Sequence, residues 1–379
     1  MMAKRKLAPR PGILDIEPYV PGKSKLASGA PAIKLSSNEN PFGASPKAVA
    51  AFKTAADRLS LYPEGSASAL RETIGAFYGL DPAQIVCGAG SDEILNLLAQ
   101  AYLGPGDEAV YSRHGFLVYP IVIKASGATP VVAQETNLTA DVDNLLACVT
   151  TRTRVVYLAN PNNPTGTYLP FEELKRLRDG LPEDVLLVID AAYAEYVLKE
   201  DYQPGIALVD AMPNTVMTRT FSKIYGLAAA RVGWAYCPPE IADVLNRIRG
   251  PFNLTGPSVA AGVAALEDQE FARQSAEHNR IWREVLTDEL EKFGLVVTPS
   301  AANFLLVHFP ANEEGGALAA DAYLQANGII LRRMEAYGLP HALRLSVGTE
   351  AQNRAVLAAL KGFVESSSAP RVKNGAGAA

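Results

Sequence analysis

The sequence predicts an α/β protein: a large domain on a seven-stranded, mostly parallel sheet with helices on both faces, then a smaller α/β C-terminal domain. Three observations predict it. Between about residues 45 and 240, seven short apolar runs alternate with helical patterns. Most of these runs are continuously apolar rather than alternating, as in strands covered on both faces. From about residue 271 the pattern changes to one long amphipathic stretch followed by four further strand-like runs.

In chain order, residues 1–40 are rich in Pro and Gly and read as an arm that packs with the small domain. Residues 41–268 hold the seven strand candidates, at 85–87, 109–112, 130–133, 154–159, 185–190, 215–218 and 232–237. Helices fill the gaps between them. At 91–103, Ile94, Leu97, Leu98 and Ala101 share one face, with Ser91 placed to cap. Residues 269–367 form the small domain. Its long helix carries Trp282, Val285, Leu286, Leu290 and Phe293 and stops at Gly294. Strands are expected at 295–298, 303–308, 329–332 and 343–347, with helices near 317–327 and 351–365. Residues 368–379 bury nothing and read as a disordered tail.

Composition removes several classes. Lys+Arg is 35 and Asp+Glu is 40, a net charge of −5, which is no footprint for nucleic acid. No apolar run approaches the roughly 20 residues of a membrane span. Lys4, Arg5 and Lys6 are followed by Pro9, Arg10, Pro11 and Gly12, where a signal peptide needs an apolar stretch. Cys87, Cys148 and Cys237 are odd in number and far apart, which fits a reducing cytoplasm. His114, His278, His308 and His341 lack metal-ligand spacing, so no metal is expected.

Four stretches could carry chemistry. Thr220-Phe-Ser-Lys223, followed by Arg231, sits directly after a strand. A lysine there could form a Schiff base, and the hydroxyls and guanidinium could hold a phosphate, the set that pyridoxal phosphate needs. Taken alone, a surface lysine near a turn explains it equally well. Asp190 ends a buried strand, where open sheets bind ligands. A carboxylate there could hold a pyridine nitrogen protonated, with Tyr193 donating to a ring oxygen. Alone, an N-cap Asp is the more ordinary reading. Asn160-Pro-Asn-Asn163-Pro-Thr-Gly166 is a rigid turn that could aim an amide at a ligand. Cys87-Gly-Ala-Gly-Ser-Asp-Glu93 puts small residues before a helix N-terminus and reads as a phosphate cup. Glu93 occupies the third small position of a dinucleotide fingerprint, so a nicotinamide site is disfavoured. Phe116 could stack on an aromatic ring, although core packing explains it alone. Arg344 interrupts an apolar run and Arg332 follows one, and each either faces solvent or binds an anion.

These stretches, with Ser36-Ser-Asn-Glu-Asn-Pro-Phe-Gly43 and Tyr62-Pro-Glu64, occur in one order that resembles the fold type I pyridoxal-phosphate aminotransferases. Within these it is most similar to the histidinol-phosphate aminotransferase family. The resemblance covers about residues 12–365. It implies Lys223 as the cofactor lysine and proton shuttle, Asp190 as the partner of the ring nitrogen, and Tyr193 and Asn163 on the ring oxygen. It places Ser91, Asp92, Thr220, Ser222 and Arg231 at the phosphate and Phe116 against the ring. The peptide before Pro164 is one that relatives can hold cis. Tyr62 is implied to reach the neighbouring site of a homodimer. Tyr19, Asn38, Arg332 and Arg344 are implied at the substrate. Ala191 and Ala230 stand where many relatives have Glu and Leu, and neither change removes a catalytic group. The implied reaction is L-histidinol phosphate plus 2-oxoglutarate giving imidazole acetol phosphate plus L-glutamate. An aromatic amino acid aminotransferase is the alternative. A related decarboxylase, a non-catalytic regulator and a nicotinamide dehydrogenase are further, weaker readings.

Overall fold

The computed structural model describes residues 7–312 and 314–368. The tail expected at 368–379 therefore lies outside the described residues, except Ser368, the last residue of the helix Glu350–Ser368. Lys4, Arg5 and Lys6 lie outside them too.

The large sheet runs through Ile85–Gly88, Gly233–Tyr236, Thr215–Thr220, Leu186–Asp190, Thr153–Ala159, Glu108–Ser112 and Thr129–Ala133, in that spatial order. These correspond to the seven apolar runs of the sequence. All neighbours are parallel except Gly233–Tyr236, which is antiparallel to both strands beside it. Leu186–Asp190 and Thr215–Thr220 are buried at every position, which is why their sequences do not alternate.

Strand direction decides where a site can form. The carboxyl ends of Thr153–Ala159, Leu186–Asp190 and Thr215–Thr220 emerge at one edge. Gly233 starts its strand at that edge, opposite both Gly88 and Thr220. Open α/β sheets bind ligands outside the carboxyl ends of their strands.

Helix Ser91–Tyr102 leaves the same edge. Ser91 is its first residue rather than its cap. The cap position belongs to Gly90 at φ 83°, and no side chain caps the helix. Glu93 instead reaches back to the N–H of Ala89 at 2.5 Å. The first-turn N–H groups are left without a side-chain acceptor.

A second, antiparallel sheet has the order Val296–Thr298, Phe304–His308, Ala342–Ser346, Arg332–Arg333. Trp282, Leu286 and Leu290 from the helix Gln269–Lys292 pack with Leu305, Val307, Leu343 and Leu345 in its core. Val285, read as part of that apolar face, is 38% exposed. The buried stripe advances by four residues, and Val285 falls one position off it. Because Leu343 and Leu345 face the core, Arg344 and Ser346 lie on the opposite face of their strand.

The single strand expected at 329–332 is two. Ile329–Ile330 pairs in parallel with Ile33–Lys34 of the N-terminal segment, whereas Arg332–Arg333 pairs with Leu343 and Arg344. The apolar run is continuous, but two different partners claim its halves. After Ile33–Lys34 the chain is fixed by Asn40, whose amide donates to Ile224 O at 2.7 Å and to Ser275 Oγ at 3.0 Å. Among the described residues no helix is long and apolar enough to cross a membrane, and no cluster of three or more His, Cys, Asp or Glu could hold a metal.

Candidate active site

Every candidate residue named above except Tyr62 lines one cavity of about 270 Å³ at the carboxyl edge of the large sheet. Lys223 lies in it, three residues past the strand Thr215–Thr220. Its Nζ donates to Ser37 O at 3.3 Å and stands 5.7 Å from the centre of the Tyr193 ring. Loss of water around the amine, then the nearby Arg344 guanidinium, push its pKa down to about 8. A lysine so tuned is a usable nucleophile and base near neutral pH.

Asp190 ends its strand with its carboxylate buried. No helix begins behind it: the next turn, Ala194–Tyr196, takes Tyr193 as its cap residue. Oδ2 accepts from Tyr119 Oη at 3.0 Å and Oδ1 from Thr218 Oγ1 at 3.4 Å. Burial pushes the pKa of Asp190 up to about 6, with the Tyr119 hydroxyl acting in the opposite sense. Among the described residues this carboxylate has no cationic partner, and a protonated ring nitrogen would supply one.

Tyr193 is buried, which pushes its pKa up to about 12, so it carries its proton. Its Oη accepts from Asn38 Nδ2 at 2.9 Å. Asn163 Oδ1 accepts from Arg344 Nη1. The peptides before Pro161 and Pro164 are both cis. Phe116 sits edge-on to Tyr19 and Tyr119, with centroids 6.4 and 6.1 Å apart.

At the other end, Arg231 donates from Nη1 to Ser222 Oγ at 3.3 Å and from Nη2 to Asp92 Oδ2 at 3.2 Å. Two glycines make this approach possible. A Cβ on Gly90 would lie 2.2 Å from Arg231 Nη2, and one on Gly233 would lie 2.2 Å from Ser91 N. A guanidinium, the hydroxyls of Thr220 and Ser222 and an uncapped helix N-terminus thus converge, which is a cradle for a compact dianion. A flat cationic ring carrying a phosphate fits these residues from Asp190 to Arg231.

Arg332 and Arg344 are direct cross-strand partners. Like charges so placed repel. Burial, with Arg332 as a further contributor, lowers the pKa of Arg344. Arg344 Nη2 donates to Ser36 O at 3.0 Å and Arg332 Nη2 to Val20 O at 2.6 Å. Neighbouring Arg333 pairs with Glu335, but neither Arg332 nor Arg344 has a carboxylate partner among the described residues. The pair therefore invites an anion into the cavity.

Asn38 lines the cavity, but its amide is engaged by Tyr193 and Ser346 rather than left open for a substrate. Tyr62 is 82% exposed and stacks on Phe252 at 4.6 Å. Both belong to a separate groove of about 1130 Å³ that also includes Leu61 and Val259. Sequence reasoning missed Tyr119, Thr218 and Ser346. Ser346 was legible, since it lies two residues past Arg344 on the same strand face. Tyr119 follows Phe116 by one helical turn, a spacing that core packing also produces.

Residues 30–360 match the profile of the family described as aminotransferase class I and II. Histidinol-phosphate aminotransferases from Rhodopseudomonas palustris strains TIE-1 and BisB18 are each 58% identical over 357 residues, covering 94% of this chain and 98% of theirs. A crystal structure of histidinol-phosphate aminotransferase from Sinorhizobium meliloti in complex with pyridoxal-5'-phosphate superposes with a TM-score of 0.86. It is 29% identical, and the match covers 96% of this chain and 99% of that one. Aspartate aminotransferase from Thermus thermophilus with maleate shares the fold at a TM-score of 0.78 and 22% identity, over 89% of this chain and 92% of that one.

Proposed function

Since this chain belongs to the class I and II aminotransferase family, we propose that it uses pyridoxal phosphate to move the amino group of L-histidinol phosphate to 2-oxoglutarate, a step of histidine biosynthesis. The products are imidazole acetol phosphate and L-glutamate. The observation that carries the substrate assignment is the Arg332–Arg344 pair in the same cavity as Lys223 and Asp190. Histidinol phosphate offers a phosphate and 2-oxoglutarate offers carboxylates, so one pair of guanidinium groups can serve both in turn. Identity of 58% to histidinol-phosphate aminotransferases supports this over the aromatic alternative.

Bound pyridoxal phosphate supplies an aldehyde for amines and an electron-withdrawing ring. The chain's residues do the rest. Lys223 Nζ would hold the cofactor covalently and, once freed by a substrate amine, would carry the proton between the substrate α-carbon and the cofactor carbon. Asp190 keeps the ring nitrogen protonated. Tyr193 and Asn163 donate to the ring oxygen, and Phe116 packs against the ring. Ser91, Asp92, Thr220, Ser222 and Arg231 hold the phosphate, Asp92 through its backbone and by bracing Arg231. Tyr19, which lines the same cavity as Arg332 and Arg344, joins them at the anionic end of the substrate.

The active unit is a homodimer in which Tyr62 reaches the neighbouring site. Support comes from its exposure, its place outside the lining of its own chain's cavity, and the apolar groove around it. Three free cysteines fit a reducing cytoplasm.

Single-turnover mixing tests the substrate. Loss of the bound cofactor's visible band should be fast with L-histidinol phosphate and slow with phenylalanine. Fast loss with phenylalanine alone would replace this reading with the aromatic one.

A further inference from the structure

Asn38 adopts φ 56°, a left-handed conformation that Asn tolerates better than most residues, and is 1% exposed. Its polar groups are all used. Its N–H donates to Ser346 Oγ at 2.8 Å, and its carbonyl accepts from Asn303 Nδ2 at 3.0 Å. Its Oδ1 accepts from Ser346 Oγ at 2.9 Å, and its Nδ2 donates to Tyr193 Oη at 2.9 Å.

Ser346 settles which way the amide faces. Its oxygen accepts the backbone N–H of Asn38, and among the described residues Oδ1 is the one acceptor for its own hydrogen, so the NH₂ end faces Tyr193. A phenol oxygen that receives an N–H keeps its own hydrogen to give elsewhere. Among the described residues Tyr193 Oη has no second hydrogen-bond partner, and Tyr193 lines the cavity.

We propose that Asn38 is a positioning residue: it turns the Tyr193 hydroxyl hydrogen into the cavity, toward the ring oxygen of pyridoxal phosphate, and ties that hydroxyl through Ser346 to the strand that carries Arg344. This rests on the cofactor reading above and reassigns Asn38 from the substrate to Tyr193. The high pKa of Tyr193, about 12, keeps the hydrogen available for donation at neutral pH. The link also gives the anion-binding strand a polar connection to the ring oxygen that does not pass through Asn163.

The test is a double-mutant cycle of Asn38→Gly and Tyr193→Phe in the holoenzyme. Glycine takes the positive φ at no steric cost. Two quantities are read: the dissociation constant of pyridoxal phosphate, and the pH midpoint of the visible band. In the wild-type background, Asn38→Gly should raise the midpoint by about one pH unit and loosen the cofactor about tenfold, the two being equivalent in free energy. In the Tyr193→Phe background it should change neither. Ser346→Ala, which frees the amide to turn over, should give a smaller shift in the same direction, again only when Tyr193 is present. Equal shifts in both backgrounds, or no shift in the wild-type background, would overturn the role of Asn38 alone. A wild-type protein that binds no pyridoxal phosphate would overturn the cofactor reading and this one with it.

Discussion

Tyr119 donates its hydroxyl to Oδ2 of Asp190 at 3.0 Å, so the carboxylate at the end of the central strand is steadied from the first turn of the helix Val118–Ala125, three residues past Phe116. That single bond does not offset burial, which leaves the pKa of Asp190 at about 6 against an ordinary 3.8. The folded state therefore binds this proton more tightly than the unfolded state. Stability from Asp190 is fully present below about pH 4 and is lost as pH rises through 6, a cost of about 3 kcal/mol at pH 7. Cofactor-free Asp190→Asn should melt above wild type at pH 7 and level with it near pH 4, while binding pyridoxal phosphate far more weakly. A variant that melts below wild type at pH 7 would show that Asp190 is not strained in the cofactor-free protein.

Arg332 stands at the anion end with its guanidinium on Val20 O. Arg332→Ala should raise KM for L-histidinol phosphate roughly 10- to 100-fold, the worth of a charge-assisted hydrogen bond, with kcat little changed. KM for phosphate-free L-histidinol should be unaffected. Equal losses for both substrates would remove the phosphate role.

How much of this was readable from sequence depends on whether the signal was local. The buried strands announced themselves by composition, because Val185, Leu186, Leu187, Val188 and Ile189 have no polar face to show. Lys223 and Asp190 could be placed at the ligand edge because one follows a strand and the other ends one, and Arg231 because it precedes the next strand. The splitting of 329–332 was not readable, since what divides it is a distant segment at Ile33–Lys34. Nor was the short hairpin at Glu135–Thr136 and Thr139–Ala140, whose turn places Leu138 at φ 60°, a conformation no sequence rule assigns to leucine. The amide of Asn38 could be placed near the site, but its partners Tyr193 and Ser346 lie 155 and 308 residues away.

Gly233 has no room for a side chain against the backbone of Ser91. Gly233→Ala should push the helix start away from Arg231 and weaken cofactor binding by at least tenfold, read by equilibrium dialysis. Far-ultraviolet circular dichroism should stay unchanged. Undiminished affinity would mean that the phosphate is not held between Ser91 and Arg231.

The proposed sharing of sites between subunits makes a prediction about mixtures. Tyr62→Ala and Lys223→Ala homodimers, unfolded and refolded together, should give activity above the mean of the two parents, because each hybrid carries one site free of both changes. Activity at the mean would show that Tyr62 does not act in its neighbour's site.

In the proposed function Lys223 is the amine that captures pyridoxal phosphate, made reactive by burial and by Arg344. The rate of cofactor capture by the cofactor-free protein, measured against pH, tests it most directly. Only the neutral amine reacts, so the rate should rise with pH through a midpoint near 8 and vanish in Lys223→Ala. A midpoint near the ordinary lysine value of 10.5, or capture that persists in Lys223→Ala, would contradict it.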